Sequence, residues 1–295
     1  MLFAFKIKNL KMKTQFLKKL NPIEILTLAY IVLTGIYIII FSQKIDDISS
    51  LLAARVVLAA LIVLFPYSKR FAGSFVRYAF PVVLTIYWYP ETYYLNECLF
   101  GNLDHVFAGI EEGIFGCQPA LEFSKALPYR WFSELMSFGY FSYFLIVAFV
   151  AIYLYFQDKK NGEKAIFVIV GSFFLYYIMF IILPVVGPQF YFPDNQVPDG
   201  YVFRPLLVAI QSMGEKPTGA FPSSHVGVSL ILMIVMWKYC RRYFVYFVPV
   251  VVILIFSTVY IKAHYVIDVI AGAISAPIVY LCADFMMKKI SEKNA

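Results

Sequence analysis

The chain has 295 residues, of which 61% are hydrophobic and 15% are charged, and its mean hydropathy is +0.75. A soluble domain of this length is not so apolar, so the composition excludes that class and predicts an integral membrane protein. The formal net charge is +7. In a soluble protein this charge would suggest nucleic-acid binding, but here the basic residues sort by loop, and we expect no nucleic-acid partner.

Runs of about 20 apolar residues predict eight membrane-spanning helices and an all-α fold. In chain order the predicted spans are Ile23–Ser42, Ile48–Tyr67, Gly73–Tyr89, Phe132–Phe156, Ala165–Val186, Ser223–Tyr239, Tyr243–Lys262 and Tyr265–Met287. A basic segment precedes the first span, as in a signal peptide, but the apolar part is too long and no small-residue cleavage site follows. We therefore expect a retained helix.

Basic residues are concentrated before the first span and after the second, fourth, sixth and eighth spans. They are Lys6, Lys8, Lys11, Lys13, Lys18, Lys19, Lys69, Arg70, Lys159, Lys160, Lys164, Arg241, Arg242, Lys288, Lys289 and Lys293. With eight spans, all of them lie on one side of the membrane, which the positive-inside rule makes the cytoplasmic side. Both termini are then expected in the cytoplasm.

Two connections between the spans are long enough to carry function. The first, Pro90–Trp131, contains the segment Leu103–Phe115, whose mixture of apolar and acidic residues favours a helix along the membrane interface. The second, Gly187–Pro222, is interpreted either as a lid or as a solvated connector. Cys98 and Cys117 share the first loop, and both a disulfide and two unpaired thiols are compatible with that placement.

Two of the three histidines lie in short motifs where apolar helices are predicted to begin. In the first motif, residues 219–225 (GAFPSSH), Pro222 suits the first turn of a helix. The main-chain N–H groups of Ser223, Ser224 and His225 would then face outward where the helix dipole favours an anion. The two serine hydroxyls add further donors for a phosphate.

The second motif, residues 263–268 (AHYVID), places His264 at the start of the eighth span with Asp268 four residues later, on the same helix face. A carboxylate that accepts from one ring nitrogen leaves the lone pair of the other nitrogen free to attack phosphorus. We assign His264 as nucleophile, Asp268 as its orienter and His225 as general acid. A single histidine in a membrane helix is more often a packing residue, but two at equivalent helix ends favour chemistry.

These motifs resemble signatures of the type 2 phosphatidic acid phosphatase superfamily, a group of membrane lipid phosphatases and phosphotransferases. Its second signature, Pro-Ser-Gly-His, is matched by Pro222, Ser223, Ser224 and His225, and its third by Ser257, His264 and Asp268. The resemblance covers roughly Phe132 to Met287. It implies a helical membrane core, a phosphohistidine intermediate at His264, and His225 as the proton donor.

The sequence departs from the family pattern at two cationic positions. Arg204 and Pro205 match the end of the first signature, but Val197 occupies its lysine position, and Thr258 replaces the arginine of the third signature. A phosphodiester carries one negative charge and needs less cationic compensation than a phosphomonoester. The chain therefore looks closest to the branch of inositol phosphorylceramide synthases, which are inositolphosphotransferases. Lys262 and Arg204 are the remaining candidate phosphate-binding cations, although Lys262 could instead extend to water.

The resemblance also implies the organisation of the chain and its partners. We expect a basic N-terminus with two additional membrane helices at 1–72, a catalytic core at 73–287 with outer loops 90–131 and 187–222, and a cytoplasmic tail at 288–295. The last six of about eight helices form that core. The expected substrate is a phospholipid or lipid phosphate, with a ceramide-type acceptor and no metal or cofactor. The expected location is a bacterial inner membrane, with the site facing the periplasm or exterior.

Three other interpretations follow from the same residues. Hydrolysis of a lipid phosphate or a polyprenyl diphosphate would use the same intermediate, because water and an alcohol attack the same phosphorus. A transporter should carry ionisable residues or broken helices at mid-membrane, whereas the ionisable residues here lie near the predicted span ends. A catalytically inactive relative is disfavoured because His225, His264 and Asp268 are all present.

Overall fold

The computed structural model describes residues 19–68, 75–193 and 196–294, and the regular structure within these ranges is helical with no β-strand. The helices are α1 (Pro22–Ile40), α2 (Ile48–Leu64), α3 (Val76–Leu95), α4 (Asp104–Phe115), α5 (Pro119–Ala126), α6 (Arg130–Gln157), α7 (Lys159–Ile182), α8 (Pro188–Tyr191), α9 (Phe203–Gly214), α10 (Ser224–Tyr239), α11 (Arg241–Tyr260) and α12 (Val266–Asn294). The predicted all-α fold class is confirmed. The predicted basic segment up to Lys18, together with Lys69 and Arg70, lies outside the described residues.

Each of the eight predicted spans corresponds to a helix, but only six described helices are long and apolar enough to cross a membrane. These six are α1, α2 with the 3₁₀ turn that follows it, α6, α7, α11 and α12. Helix α10 has only 16 residues, and α3 contains Arg77, Glu91 and two prolines, which lower its hydropathy. The chain is a multi-pass membrane protein in which two of the expected spans are shorter or more polar than the rest.

Two helix boundaries differ from the predicted spans for local reasons. Helix α3 continues to Leu95, so Pro90, which was expected to begin a loop, lies inside the helix. Helix α7 begins at Lys159 rather than Ala165, because the side chain of Asp158 accepts the N–H of Asn161 and caps the first turn. Hydropathy does not detect either feature.

Helix α7 lies at the centre of the bundle and packs against α1, α3, α6, α10 and α12. Its sequence is apolar on all sides, which is typical of a helix surrounded by other helices. Phe167, Tyr176 and Phe180 on this helix are fully buried. In contrast, α1, α2 and α3 expose large apolar side chains such as Ile40, Val56 and Ile86 on their outer sides, as expected for surfaces that face lipid.

Two ion pairs join the first three helices. Arg55 Nη2 on α2 lies 2.8 Å from Glu91 Oε2 on α3, and both side chains are buried. Arg77 Nη2 on α3 lies 2.6 Å from Glu24 Oε2 on α1. Arg55 therefore pairs with a carboxylate within the bundle, and its charge is compensated there.

The first outer loop contains the predicted helix, α4, and two buried carboxylates on it hold the loop against the rest of the protein. Asp104 accepts the main-chain N–H groups of Val186 and Gly187 at 2.7 Å and 2.9 Å. Glu111 accepts the N–H of Ile267, in the first turn of α12, at 3.1 Å. The opposite face of α4 exposes the apolar side chains Val106, Ile110 and Ile114. These contacts place α4 against the segment that follows α7 and the start of α12.

Cys98 and Cys117 are not joined by a disulfide. Both thiols are free, with Cys98 buried and Cys117 partly exposed. The carbonyl group of Cys98 accepts a hydrogen bond from Lys44 Nζ at 2.9 Å. The outer loop is therefore held by hydrogen bonds and packing, and the disulfide interpretation is not supported.

Helices α10 and α12 approach each other closely at Gly272. A Cβ atom at this position would lie 2.5 Å from the carbonyl oxygen of Ser223, which precedes α10. The N–H of Ser223 donates to the carbonyl of Asp268 on α12 at 3.0 Å. The absence of a side chain at Gly272 thus lets the start of α10 hydrogen-bond to the first turns of α12.

We predict that Gly272→Ala destabilises the protein by about 1–3 kcal/mol, because main-chain atoms cannot give way to the added methyl group. The matched control is Gly113→Ala in α4, where an added Cβ meets no atom within 4 Å. This control should leave stability unchanged or raise it by up to about 1 kcal/mol through helix propensity. Thermal unfolding of both variants in detergent measures the difference, and equal midpoints would contradict the close contact.

Candidate active site

The structure brings together the two histidines of the motifs. The Nε2 atom of His264 lies 3.4 Å from the Nδ1 atom of His225, and the two ring centroids are 5.5 Å apart. The residues are separated by 39 positions in the sequence. The predicted juxtaposition of these two side chains is therefore present, with the two rings in direct contact.

His225 is the second residue of α10, and its position depends on how that helix begins. Ser223 caps the helix, with its hydroxyl oxygen accepting the N–H of Val226 at 3.3 Å. Pro222 therefore precedes the cap. The sequence had suggested that Pro222 lies in the first helical turn, and this expectation is wrong. The N–H groups of Ser224 and His225 occupy the first two helical positions, which have no acceptor within the helix.

The imidazole of His225 is held between two tyrosines of α6. The ring centroids of Tyr140 and Tyr143 each lie 4.5 Å from the centroid of His225. The Tyr140 ring is stacked on the imidazole, and the Tyr143 ring is tilted against it. This packing restricts the ring to the side of the helix that faces His264.

His264 lies in the non-helical segment between α11 and α12, two residues before α12 begins. Lys262 in this segment has a φ of 68°, and the N–H of His264 donates to the carbonyl of Thr258 at 3.1 Å. Because the segment is not helical, His264 and Asp268 do not follow the one-turn spacing of a helix face. The expected geometry of this pair is therefore altered.

The main-chain carbonyl of Ala220, in the loop before α10, is the acceptor for the His264 ring. The distance from His264 Nδ1 to Ala220 O is 2.8 Å, whereas the distance from Nδ1 to Asp268 Oδ2 is 3.6 Å. A carbonyl oxygen can only accept, so Nδ1 carries the proton and Nε2 carries the lone pair. That lone pair points toward His225.

Burial keeps the imidazole of His264 neutral. The side chain of His264 is 3% exposed, and this burial lowers its pKa from 6.5 to about 4. The hydrogen bond to Ala220 and the negative charge of Glu215 act in the opposite direction and only partly offset the effect. At neutral pH the imidazole is therefore uncharged, which is the form that can attack phosphorus.

Asp268 has a different primary contact from the one predicted. Its Oδ2 atom accepts the N–H of Tyr265 at 2.8 Å and so caps the start of α12, while Oδ1 is buried with no hydrogen-bond partner. The carboxylate remains close to His264 Nδ1 at 3.6 Å. Asp268 thus fixes the start of the helix and places a carboxyl group next to the His264 ring.

The other predicted phosphate ligands are distributed unevenly around the histidines. Ser223 and Ser224 are buried at the start of α10. Lys262 is also buried, at 1% exposure, and its Nζ atom donates to the carbonyl of Gln196, so it does not extend to water. Burial lowers the pKa of Arg204, which interacts electrostatically with Asp199. Lys262 Nζ and the Arg204 guanidinium thus both interact with residues of the connection 187–222.

Thr258 and Val197, the two positions that depart from the family signatures, contact neighbouring parts of the protein. The hydroxyl group of Thr258 is buried and donates to the carbonyl of Ile255 in its own helix at 2.7 Å. Val197 packs against a buried apolar cluster that includes Tyr260 and Leu207. Neither position supplies a positive charge to the histidine pair.

Glu215 was not identified from the sequence, although its carboxylate interacts with His264. Its Oε1 atom accepts from Gln189 Nε2 at 2.7 Å, and its charge raises the pKa of His264. Burial raises the pKa of Glu215 itself. The only sequence signal was an acidic residue ten positions before His225 in a loop rich in glycine and proline.

A family model described as the PAP2 superfamily matches residues 113–282, which is more than half of the chain. The chain belongs to the PAP2 superfamily. The matched region includes both histidines, Asp268 and all of α6 to α11. No curated protein and no solved structure matches the chain. Membership in this superfamily makes the protein a membrane enzyme of the lipid phosphatase and phosphotransferase class.

We predict that Asp268→Asn lowers the turnover rate by about 10- to 100-fold. The equivalent change in a serine protease costs about 10⁴-fold because the catalytic histidine then adopts the wrong tautomer. Here the Ala220 carbonyl retains the tautomer, so only the charge of Asp268 is lost. Steady-state kinetics on the folded variant would measure the effect. A loss near 10⁴-fold would mean that Asp268, and not Ala220, sets the tautomer of His264.

Proposed function

We propose that this PAP2 enzyme transfers a phosphate-linked head group, of the inositol phosphate type, from a phospholipid to a lipid alcohol such as ceramide. The observation that carries the proposal is the position of His264 Nε2, the ring nitrogen with the lone pair, which lies 3.4 Å from His225 Nδ1. In the proposal the site faces the extracytoplasmic side of a bacterial inner membrane. The distribution of basic residues among the loops supports this orientation.

In the first step, His264 Nε2 forms a bond to phosphorus while the bond from phosphorus to the diacylglycerol oxygen breaks. His225 acts as the imidazolium, which the bound anion stabilises, and gives a proton to the leaving oxygen. The N–H groups at the start of α10 stabilise the phosphoryl oxygens together with the helix dipole. Because the two rings contact each other, the substrate has to replace that contact before attack.

In the second step, the hydroxyl oxygen of the acceptor bonds to phosphorus and the bond to His264 Nε2 breaks. His225, now neutral, takes the proton of the hydroxyl group and returns to the imidazolium form. His264 is released as the neutral imidazole. Water in place of the alcohol would complete a hydrolysis through the same intermediate.

The charge of the site supports a phosphodiester as the substrate. A phosphomonoester approaches two negative charges at neutral pH, whereas a phosphodiester carries one, and each charge brought into a buried site requires compensation. Val197 and Thr258 provide no cation, and the carboxylate of Glu215 interacts with His264. A dianion would therefore be bound less favourably than a monoanion.

We predict that His264→Ala abolishes both the phosphoenzyme and turnover. His225→Ala should lower turnover of a natural lipid by about 10²–10⁴-fold, the usual contribution of a general acid. It should still form the phosphoenzyme from a p-nitrophenyl phosphodiester, whose leaving oxygen needs no proton. The matched control is His105→Ala, since His105 is exposed on α4. Equal losses of His225→Ala on both substrates would contradict the assignment of the acid.

A direct test of the reaction uses the purified protein with labelled phosphatidylinositol, phosphatidic acid or polyprenyl diphosphate, each with and without ceramide. We expect label to move from phosphatidylinositol to ceramide, and this product should be absent with His264→Ala. Preferential release of inorganic phosphate from phosphatidic acid or the diphosphate would show a phosphatase instead.

A further inference from the structure

Glu215 is a half-buried carboxylate at the active site for which the proposed mechanism has no use. It follows α9 directly, and its N–H donates to the carbonyl of Gln211 at 2.9 Å. Its carboxylate interacts electrostatically with His264 and with Tyr140, the ring stacked on His225. A negative charge here disfavours phosphate binding, so it requires another explanation.

Two glutamines surround this carboxylate. Gln189 Nε2 donates to Glu215 Oε1 at 2.7 Å, and the Gln211 side chain also hydrogen-bonds to Glu215. The N–H of Gln189 donates to the carbonyl of Lys262 at 2.8 Å. Because Lys262 lies two residues before His264 in the sequence, this bond fixes Gln189 next to the segment that carries His264. The cluster of Glu215, Gln189 and Gln211, called here the carboxamide cluster, therefore has a defined position relative to the nucleophile.

The loop between Glu215 and Ala220 is held on its other side. The hydroxyl group of Thr218 hydrogen-bonds to Thr92 at 3.0 Å and accepts from Asn96 at 3.1 Å, both near the end of α3. The hydroxyl group of Tyr89 donates to the carbonyl of Thr218 at 3.2 Å. The carboxamide cluster and the acceptor of the His264 ring therefore belong to one fixed segment.

The hydrogen-bond donors of Glu134 differ in kind from those of Glu215, and the difference shows why Glu134 is structural whereas Glu215 is suited to binding a ligand. Glu134 accepts the main-chain N–H groups of four consecutive residues, 201 to 204, at the start of α9, and these donors cannot turn away. The Glu215 carboxylate instead accepts from the side-chain amides of Gln189 and Gln211, which can rotate to bind another molecule. Carboxylate and amide groups together accept from and donate to hydroxyl groups.

We propose that the carboxamide cluster binds the hydroxyl groups of an uncharged polyol head group and so selects polyol phosphodiesters among lipid substrates. This inference rests on the proposed transfer through His264. Each hydroxyl group donates to the carboxylate or an amide oxygen, and the amide N–H groups donate in return. The carboxylate at the same time disfavours a phosphomonoester, whose charge would lie close to it.

The test compares phosphatidylinositol and phosphatidylglycerol, which carry hydroxyl groups on the head group, with phosphatidylmethanol, which carries none. The readout is kcat/KM for diacylglycerol release by the full-length protein in detergent micelles. We expect Glu215→Gln to lower the ratio of polyol lipid to phosphatidylmethanol by about 10- to 100-fold, as for loss of a hydrogen bond to a charged group. The control is Glu97→Gln, an exposed residue of the 3₁₀ turn Asn96–Cys98 after α3, which should keep the ratio.

Three outcomes overturn the inference, and they are distinguishable. An unchanged ratio in Glu215→Gln would mean that the cluster does not bind the head group. A wild-type preference for phosphatidylcholine that Glu215→Gln removes would mean that the carboxylate binds an ammonium group. If the wild-type protein forms no phosphoenzyme with any of these diesters but does so with phosphatidic acid, the proposed function itself fails, and the inference fails with it.

Discussion

The hydrogen bond between His264 Nδ1 and the carbonyl of Ala220 joins the two segments on which the active site depends. It connects the loop before α10 to the loop before α12 across 44 residues of sequence. The N–H of Ala220 in turn donates to the carbonyl of Val185, in the non-helical segment that follows α7. The bond fixes the tautomer of His264 and the relative position of the two histidines at once, so the proposed chemistry requires both helix starts to be in place.

Neighbouring main-chain contacts support that bond. The N–H of Ser223 donates to the carbonyl of Asp268, and the absence of a side chain at Gly272 allows the two segments to approach. Asp104 and Glu111 from α4 accept main-chain N–H groups beside the site. The outer loop is therefore a structural part of the site, because it supplies acceptors for helix starts that would otherwise lack partners.

The electrostatic character of the site differs from that of a simple phosphate-binding site. His264 is kept neutral by burial, and the nearby ionisable groups include the carboxylates of Asp268 and Glu215. Lys262 donates to a loop carbonyl, and Arg204 lies in the field of Asp199. Anion binding then depends on the N–H groups at the start of α10, which compensate one negative charge more readily than two.

The sequence by itself determined the membrane fold class, the approximate positions of eight helices, and the candidates His225, His264 and Asp268, which the structure brings together. Each of these depends on local composition or on a short motif.

The acceptor at Ala220, the altered contact of Asp268 and the presence of Glu215 were decided only by the tertiary structure. The physical reasons are specific. Ala220 acts through its main-chain carbonyl, which every residue has, so its side-chain identity carries no signal. The segment before α12 is not helical, so the four-residue spacing from His264 to Asp268 does not give the geometry of a helix face. Glu215 reaches the histidines through the folding of a loop, which no periodicity in the sequence describes.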